Sequence, residues 1–458
     1  MKRLILLGFA FYIQTSIFAQ TAQQDSLVLK SISNYILSNY TCYSDLHYLC
    51  KQIGHRISGS KQAEMAVEWA KKTLEKTGCD RVYLQEVMVP HWVRGKEKGE
   101  IRLPNKKNIP ITISSLGNAV GTPEQGLAAN ILQINHIDEL KKLSKKDVEG
   151  KIVFYNFRFD QTNIHTFESY GPCVYYRWGA PSEAAKLGAI GVVIRSVSSA
   201  YDDKPHTGSL TYNKDYPAIP AVAISNLDAD LLEKTIAQEK NVQFFILSTC
   251  KMMEDVKSYN VIAELKGSEH EDEYIDFGGH LDSWDIGEGA HDDGAGVVQA
   301  IEVIRVFKSL GIRPKRTLRA VLFMNEENGL KGAKAYAEIA KANNEKHILA
   351  IESDAGGATP HGFSMTMSNE QRAKISAWSF LLRPYGLYTF EKEGGGADVS
   401  QLNKQMDTPV MELMPDSQRY FDMHHSANDI FENVHRRELC LGAIAIAQMV
   451  YLVDMYGL

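Results

Sequence analysis

The chain predicts an α/β protein: a mostly parallel mixed sheet with helices on both faces, carrying a second, smaller α/β unit inserted into it. Two patterns predict this. From Tyr259 onward, short apolar runs alternate with long amphipathic stretches, the rhythm of a doubly wound sheet. Between roughly residues 118 and 255 the rhythm changes to short strands separated by polar, turn-rich segments. Length agrees, because 458 residues exceed what one small core fills.

The elements follow in order. Residues 26–53 read as helical. Ser60 is placed to cap an amphipathic helix running to Lys76, with Met65, Trp69 and Leu74 on one face and Gly78 as its stop. Residues 81–89 form a strand bounded by Pro90. In the insert, strands are expected at 151–155, 190–194, 219–225 and 241–247, with a short helix at 183–187. Beyond it, strands fall at 261–265, 274–277, 319–324, 347–351 and 409–414, and a helix at 294–310. The expected organisation is a signal peptide over 1–19, a first segment of the main domain over 20–117, the insert over 118–255, and a metal-binding segment over 256–458.

Composition excludes some classes. Hydrophobic residues make up 44% and charged residues 23%, ordinary for a globular protein. Net charge is -6, and lysine and arginine are scattered without a basic block, so no nucleic acid partner is expected. Lys2 and Arg3, the apolar run 4–13 and Ala19 before Gln20 read as a secretory signal, hence an exported protein, periplasmic or secreted. The apolar run is too short for an anchor and is broken by Gln14, Thr15 and Ser16. A second apolar stretch, 439–453, is interrupted by Gly442 and Gln448 and reads as a buried helix, so no membrane span is expected after signal removal. Six cysteines match no zinc-finger spacing and read as buried free thiols, with Cys42 and Cys50 closest in sequence.

The chemistry lies in the last third. His280, Asp292, Glu327, Asp354 and His425 each stand where a strand runs out or a helix begins. Open α/β sheets bind ligands beyond the carboxyl ends of their strands, so these residues converge on one edge. Two imidazoles with three carboxylates suit a pair of divalent ions, zinc first. Two such ions are equipment for hydrolysis. Gly278-Gly279 permits close backbone approach before His280, and Asp282 is placed to hold that imidazole's other nitrogen. Asp292 stands at a helix start, compatible with both capping and bridging two cations. Glu326 and Glu327 leave the strand end in different directions, so one binds metal while the other faces the attacking water.

These phrases resemble the co-catalytic di-zinc exopeptidases, the family of bacterial aminopeptidases and glutamate carboxypeptidases, with the carboxypeptidase Q subgroup nearest. The segments Gly54-His-Arg-Ile-Ser-Gly-Ser60 and Val89-Pro-His-Trp-Val-Arg-Gly95 are similar to its N-terminal signatures, and 183–194 is similar to the marker of a protease-associated domain. The likeness spans nearly the whole mature chain and implies a zinc exopeptidase fold with two zinc ions per chain. It implies His280 and Asp354 on one zinc, Glu327 and His425 on the other, Asp292 bridging, and Glu326 as general base. His425 is preferred to His424 because the family's ligand lies four residues before an acid, here Asp429. A cis peptide after Asp292 is also implied, and His291 stands where many relatives carry Asn or Gln. Implied substrates are small peptides or dipeptides with free termini, the choice between carboxypeptidase (or dipeptidase) and aminopeptidase staying open. The insert is compatible with covering the cleft or with a homodimer. Single-zinc glutaminyl cyclases and a receptor lacking a working site share the architecture; the full ligand set with Glu326 favours the hydrolase.

Overall fold

The computed structural model describes residues 22–104 and 106–458; the expected signal peptide lies outside them. Seven strands form the main sheet: β1 (Arg81–Val89), β2 (Val256–Leu265), β3 (His270–His280), β4 (Arg316–Phe323), β5 (Lys346–Glu352), β6 (Pro360–Thr366) and β7 (Val410–Pro415). Their spatial order is β1-β2-β4-β3-β5-β7-β6. Pairing is parallel from β4 through β3 and β5 to β7, and antiparallel at β1/β2, β2/β4 and β6/β7. The sheet is therefore evenly mixed rather than mostly parallel. Its parallel centre is apolar on both faces, whereas its antiparallel flanks include β1 and β6, which the alternation of strand and long helix does not reveal.

Helices cover both faces. One face of the central strands packs, through Ile275, Phe277, Leu318, Leu322 and Ile351, against helices Ala295–Leu310 and Arg436–Tyr456. The opposite face, through Val321, Phe323 and Ala350, meets Tyr336, Ala337 and Leu402 from helices Lys331–Ala342 and Ser400–Met406. Helix Lys61–Lys76 begins as expected, with the Ser60 side chain accepting from the Ala63 N–H. Its buried face differs from the expected one. Ala63, Ala66, Val67, Ala70 and Leu74 are buried, while Met65 is exposed and Trp69 half-buried. The small residues follow the i, i+3, i+4, i+7 stripe and let the helix lie close on its neighbours.

Helix Arg436–Tyr456 is the one described helix long and apolar enough to cross a membrane, yet 83% of its most apolar window is buried inside the protein. Gln448 donates to the Leu29 carbonyl, tying it to the helix over residues 22–39. All six cysteines are free; the closest thiols in space are Cys42 and Cys440, 3.4 Å apart, rather than Cys42 and Cys50.

A second sheet has eight strands and its own two apolar layers. Ile152–Tyr155, Gly191–Arg195 and Ala221–Ile224 form its parallel centre with Leu127–Ile134, and Gln243–Ser248 joins the latter antiparallel. Three further strands, Glu97–Arg102, Ile109–Ile111 and Ile113–Ser115, also belong to it, so its membership runs back to residue 97, ahead of 118. Helix Phe167–Trp178 leans from this sheet toward the main one; Phe167 and Tyr170 stack against Tyr420 and Phe421.

Candidate metal centre

Each ligand candidate is held by its local backbone. β3 delivers His280, whose N–H donates to Asp293 Oδ2 at 2.9 Å. A methyl group on Gly279 would collide with that Asp293 carboxylate, so only glycine fits there. The following turn is clamped by Asp429: its Oδ1 accepts from the N–H groups of Ala290 and His291, and its Oδ2 from that of Asp292. The Asp292–Asp293 peptide is cis, as the resemblance implied. β4 leads through Met324 and Asn325 to Glu326 and Glu327, and β5 leads to Asp354. After β7, the short helix Tyr420–Met423 presents His424 and His425.

These elements bring all five predicted ligands together. His280 Nε2 lies 3.1 Å from Asp292 Oδ1 and 3.3 Å from Asp354 Oδ1. His425 Nε2 lies 3.1 Å from Asp292 Oδ2 and 3.1 Å from Glu327 Oε2. Asp292 thus turns one oxygen to each histidine. His424 stacks on His425 and places Nε2 3.7 Å from Asp292 Oδ2, a longer approach. Asp292, Glu327, Asp354 and His425 line a cleft of about 450 Å³ together with Glu326, while His280 lies buried behind them. A larger groove of about 830 Å³, between helices Thr41–Tyr48 and Lys61–Lys76, holds none of these side chains.

Asp282 acts differently from the sequence expectation. Its own backbone carbonyl, not its carboxylate, meets His280 Nδ1 at 3.0 Å; the carboxylate stands 3.8 Å away. Asp282 Oδ1 instead accepts from the N–H groups of Asn325 (2.7 Å) and Glu326 (3.1 Å). It therefore holds the backbone from which the glutamate pair projects.

Electrostatics identify what the pocket lacks. Burial raises the carboxyls of Glu327 and Asp354, and pushes that of Glu326 up to about 8, with Asp354 and Asp292 adding repulsion. Burial opposes the charge on Asp292 as well, but hydrogen bonds from His280 and His425 hold its carboxyl well below the usual range. Burial lowers His425 to about 4, so its imidazole is neutral and able to ligate. Four carboxyls crowd two imidazoles, and burial with mutual repulsion opposes the ionisation of three of them without a cation to offset it. That donor set fits two divalent cations, with His280, Asp292 and Asp354 as one cluster and Asp292 with the histidine pair as another.

Sequence reasoning missed two supports. Arg56 is fully buried, and its guanidinium donates to the carbonyls of Leu281, Glu288 and Gly289, bracing both loops beneath the ligands. It lies within the N-terminal phrase 54–60, so the resemblance marked the segment without its role. Arg177 reaches the cleft from the second sheet unit, where no local signal announces it.

Fold and site together define a metallohydrolase with two adjacent cation positions. The model of "Peptidase family M28" matches residues 260–450. Carboxypeptidase Q of Bos taurus is 35% identical over 429 residues, covering 93% of this chain and 88% of the relative. The solved peptidase M28 precursor of Shewanella amazonensis superposes with a TM-score of 0.89 at 34% identity, over 94% of this chain and 97% of that one. A zinc aminopeptidase of Bacillus subtilis shares the fold, with a TM-score of 0.66 at 20% identity over 90% of this chain and 94% of that one. The chain belongs to peptidase family M28.

Proposed function

We propose that this protein is an exported zinc-dependent exopeptidase that hydrolyses small peptides with free termini. One observation carries the reading: each oxygen of Asp292 lies 3.1 Å from a different histidine, the arrangement a carboxylate shared by two cations needs. In this reading His280 and Asp354 hold one zinc, Glu327 and His425 the other, and Asp292 joins both. Zinc held by these residues would supply the Lewis acidity for polarising a scissile carbonyl and for lowering the pKa of an attacking water. Glu326 takes the proton from that water and hands it to the leaving amine. Asp282 keeps Glu326 in place through its backbone N–H. The second sheet unit is a protease-associated domain in this reading, supported by the 183–194 phrase, whose residues form the end of helix Ala180–Lys186 and strand Gly191–Arg195. The precursor status of the Shewanella relative supports export to the periplasm or medium.

The test is metal analysis combined with a dipeptide-library assay. The expected result is two zinc ions per chain and hydrolysis that chelation abolishes and zinc restores. Activity untouched by chelation would overturn the reading.

A further inference from the structure

We infer that Glu412 is a specificity residue: it receives the cationic side chain of a lysine or arginine of the peptide substrate, in a side cavity that adjoins the metal cleft. This deepens the peptidase reading and rests on it. The cavity measures about 570 Å³ and lies between Ile164, Phe167 and Glu168 of the second sheet unit and residues of β6, β7 and the loops beside them. Glu412 and Phe167 line both this cavity and the metal cleft, so they stand at the boundary of the two spaces.

Strand alternation places Glu412 there. Met411 and Leu413 turn into the main core, and Glu412 between them points the other way. Its register neighbour on β5 is Glu352, whose carboxylate accepts from the Asp398 and Val399 N–H groups. Its neighbour on β6 is Ser364, which also lines the cavity. Unlike Glu352, the half-buried Glu412 carboxyl meets no hydrogen-bond donor or cationic partner among the described residues. Burial opposes its charge, and Glu352 and Asp354 add repulsion. A carboxyl so placed is costly to ionise unless a cation reaches it. Lys392, the one lysine or arginine lining the cavity, is exposed and makes no such contact.

Charge and walls together fit one class of side chain. Glu168, Glu393, Glu412 and Asp416 line the cavity against Lys392 alone, and of these acids only Glu393 has a cationic partner among the described residues, Arg372. Phe167 and Tyr388, both exposed, supply apolar wall with Met414 and Pro415. Lysine and arginine carry an alkyl stem that covers apolar surface and a charged head that seeks a carboxylate. An acidic side chain would meet like charge there, and a neutral one would leave Glu412 uncompensated. Since Glu412 also borders the metal cleft, a peptide lying there presents its side chains to it. The α-amino group of a short peptide carries the same charge, so the test separates the two sources.

The experiment measures kcat/KM for alanine dipeptides whose other residue, at either position, is lysine, norleucine or glutamate, using zinc-loaded wild type and Glu412→Gln, with zinc content and circular dichroism measured on both. Every substrate carries an α-amino group, so differences within a set report the side chain. Wild type should favour lysine over norleucine by about 10- to 10²-fold at one of the two positions, mostly through KM, the scale of a charge-assisted contact. Glutamate at that position should be the poorest of the three. In Glu412→Gln the lysine-to-norleucine ratio should fall toward one. Equal cleavage of lysine and norleucine peptides by wild type at both positions overturns the inference, and that comparison needs no variant to fold. A ratio kept in Glu412→Gln also overturns it, because a carboxyl whose loss slows both substrates together reads the α-amino group instead. Loss of zinc in Glu412→Gln does the same, because Glu412 would then serve the metal centre. If wild type cleaves lysine and norleucine peptides alike, the peptidase reading survives alone; if it cleaves no peptide in a zinc-dependent way, both readings fall.

Discussion

Asp292 stands between two imidazoles, which sets its substitution apart from that of any other ligand. Asp292→Asn should weaken both cation positions, whereas His280→Ala should empty one and leave the other filled. Zinc counted per chain by mass spectrometry separates the cases, and two zinc ions retained in His280→Ala would contradict the ligand assignment. Glu326→Gln should behave in the opposite manner, losing about 10²–10⁴ in turnover while keeping both ions, the cost of removing a general base. Metal loss from that variant would make Glu326 a ligand instead.

Between elements, the buried His347 cluster links β3, β5 and helix Lys331–Ala342. Its Nδ1 meets Asp276, its Nε2 lies 3.3 Å from Glu345, and Arg319 donates to both Tyr336 and Glu345. Burial opposes the His347 charge, but Asp276 outweighs it and raises the pKa to about 9. A pKa raised above its unfolded value stabilises most below the unfolded value. That contribution, on the order of 3 kcal/mol, is lost as pH rises through about 9. Wild type should therefore lose more urea resistance between pH 6 and 9.5 than His347→Gln, and identical losses would rule the cluster out as the cause. How legible these elements were depended on their pattern. The strand leading to Glu327 announces itself as an unbroken apolar run, Ala320 to Met324, entering a polar loop, whereas the strand ending at His280 is apolar only in short pieces around Asp276. β6 does not, because Pro360 opens it and Gly362 interrupts it at the sheet edge. No sequence expectation covers helix Phe167–Trp178, whose interior Gly171 and Pro172 are locally unfavourable to a helix. Arg177 went unseen for that reason, and Asp429 was noted only for its spacing from His425, since three N–H groups meet it only once the chain has folded.

For the whole molecule, cations that bind only the folded chain add to its stability by mass action, about 4 kcal/mol when free ion exceeds Kd a thousandfold. Chelation should lower Tm by roughly 5 °C in a chain of this size, and zinc should restore Tm and activity together. An unchanged Tm on calorimetry would mean that the cluster carries no folding energy. The two sheets also meet across the histidine pair itself. Thr207 donates its N–H to the His425 carbonyl at 2.8 Å, His206 Nδ1 meets the His424 carbonyl at 2.6 Å, and Thr166 donates to the Ser417 carbonyl. Swinging the lobes apart like a jaw would unbolt those carbonyls and drag a zinc-holding ring out of place. The width of the cleft is thus tied to the same fastenings that hold the histidine pair in position.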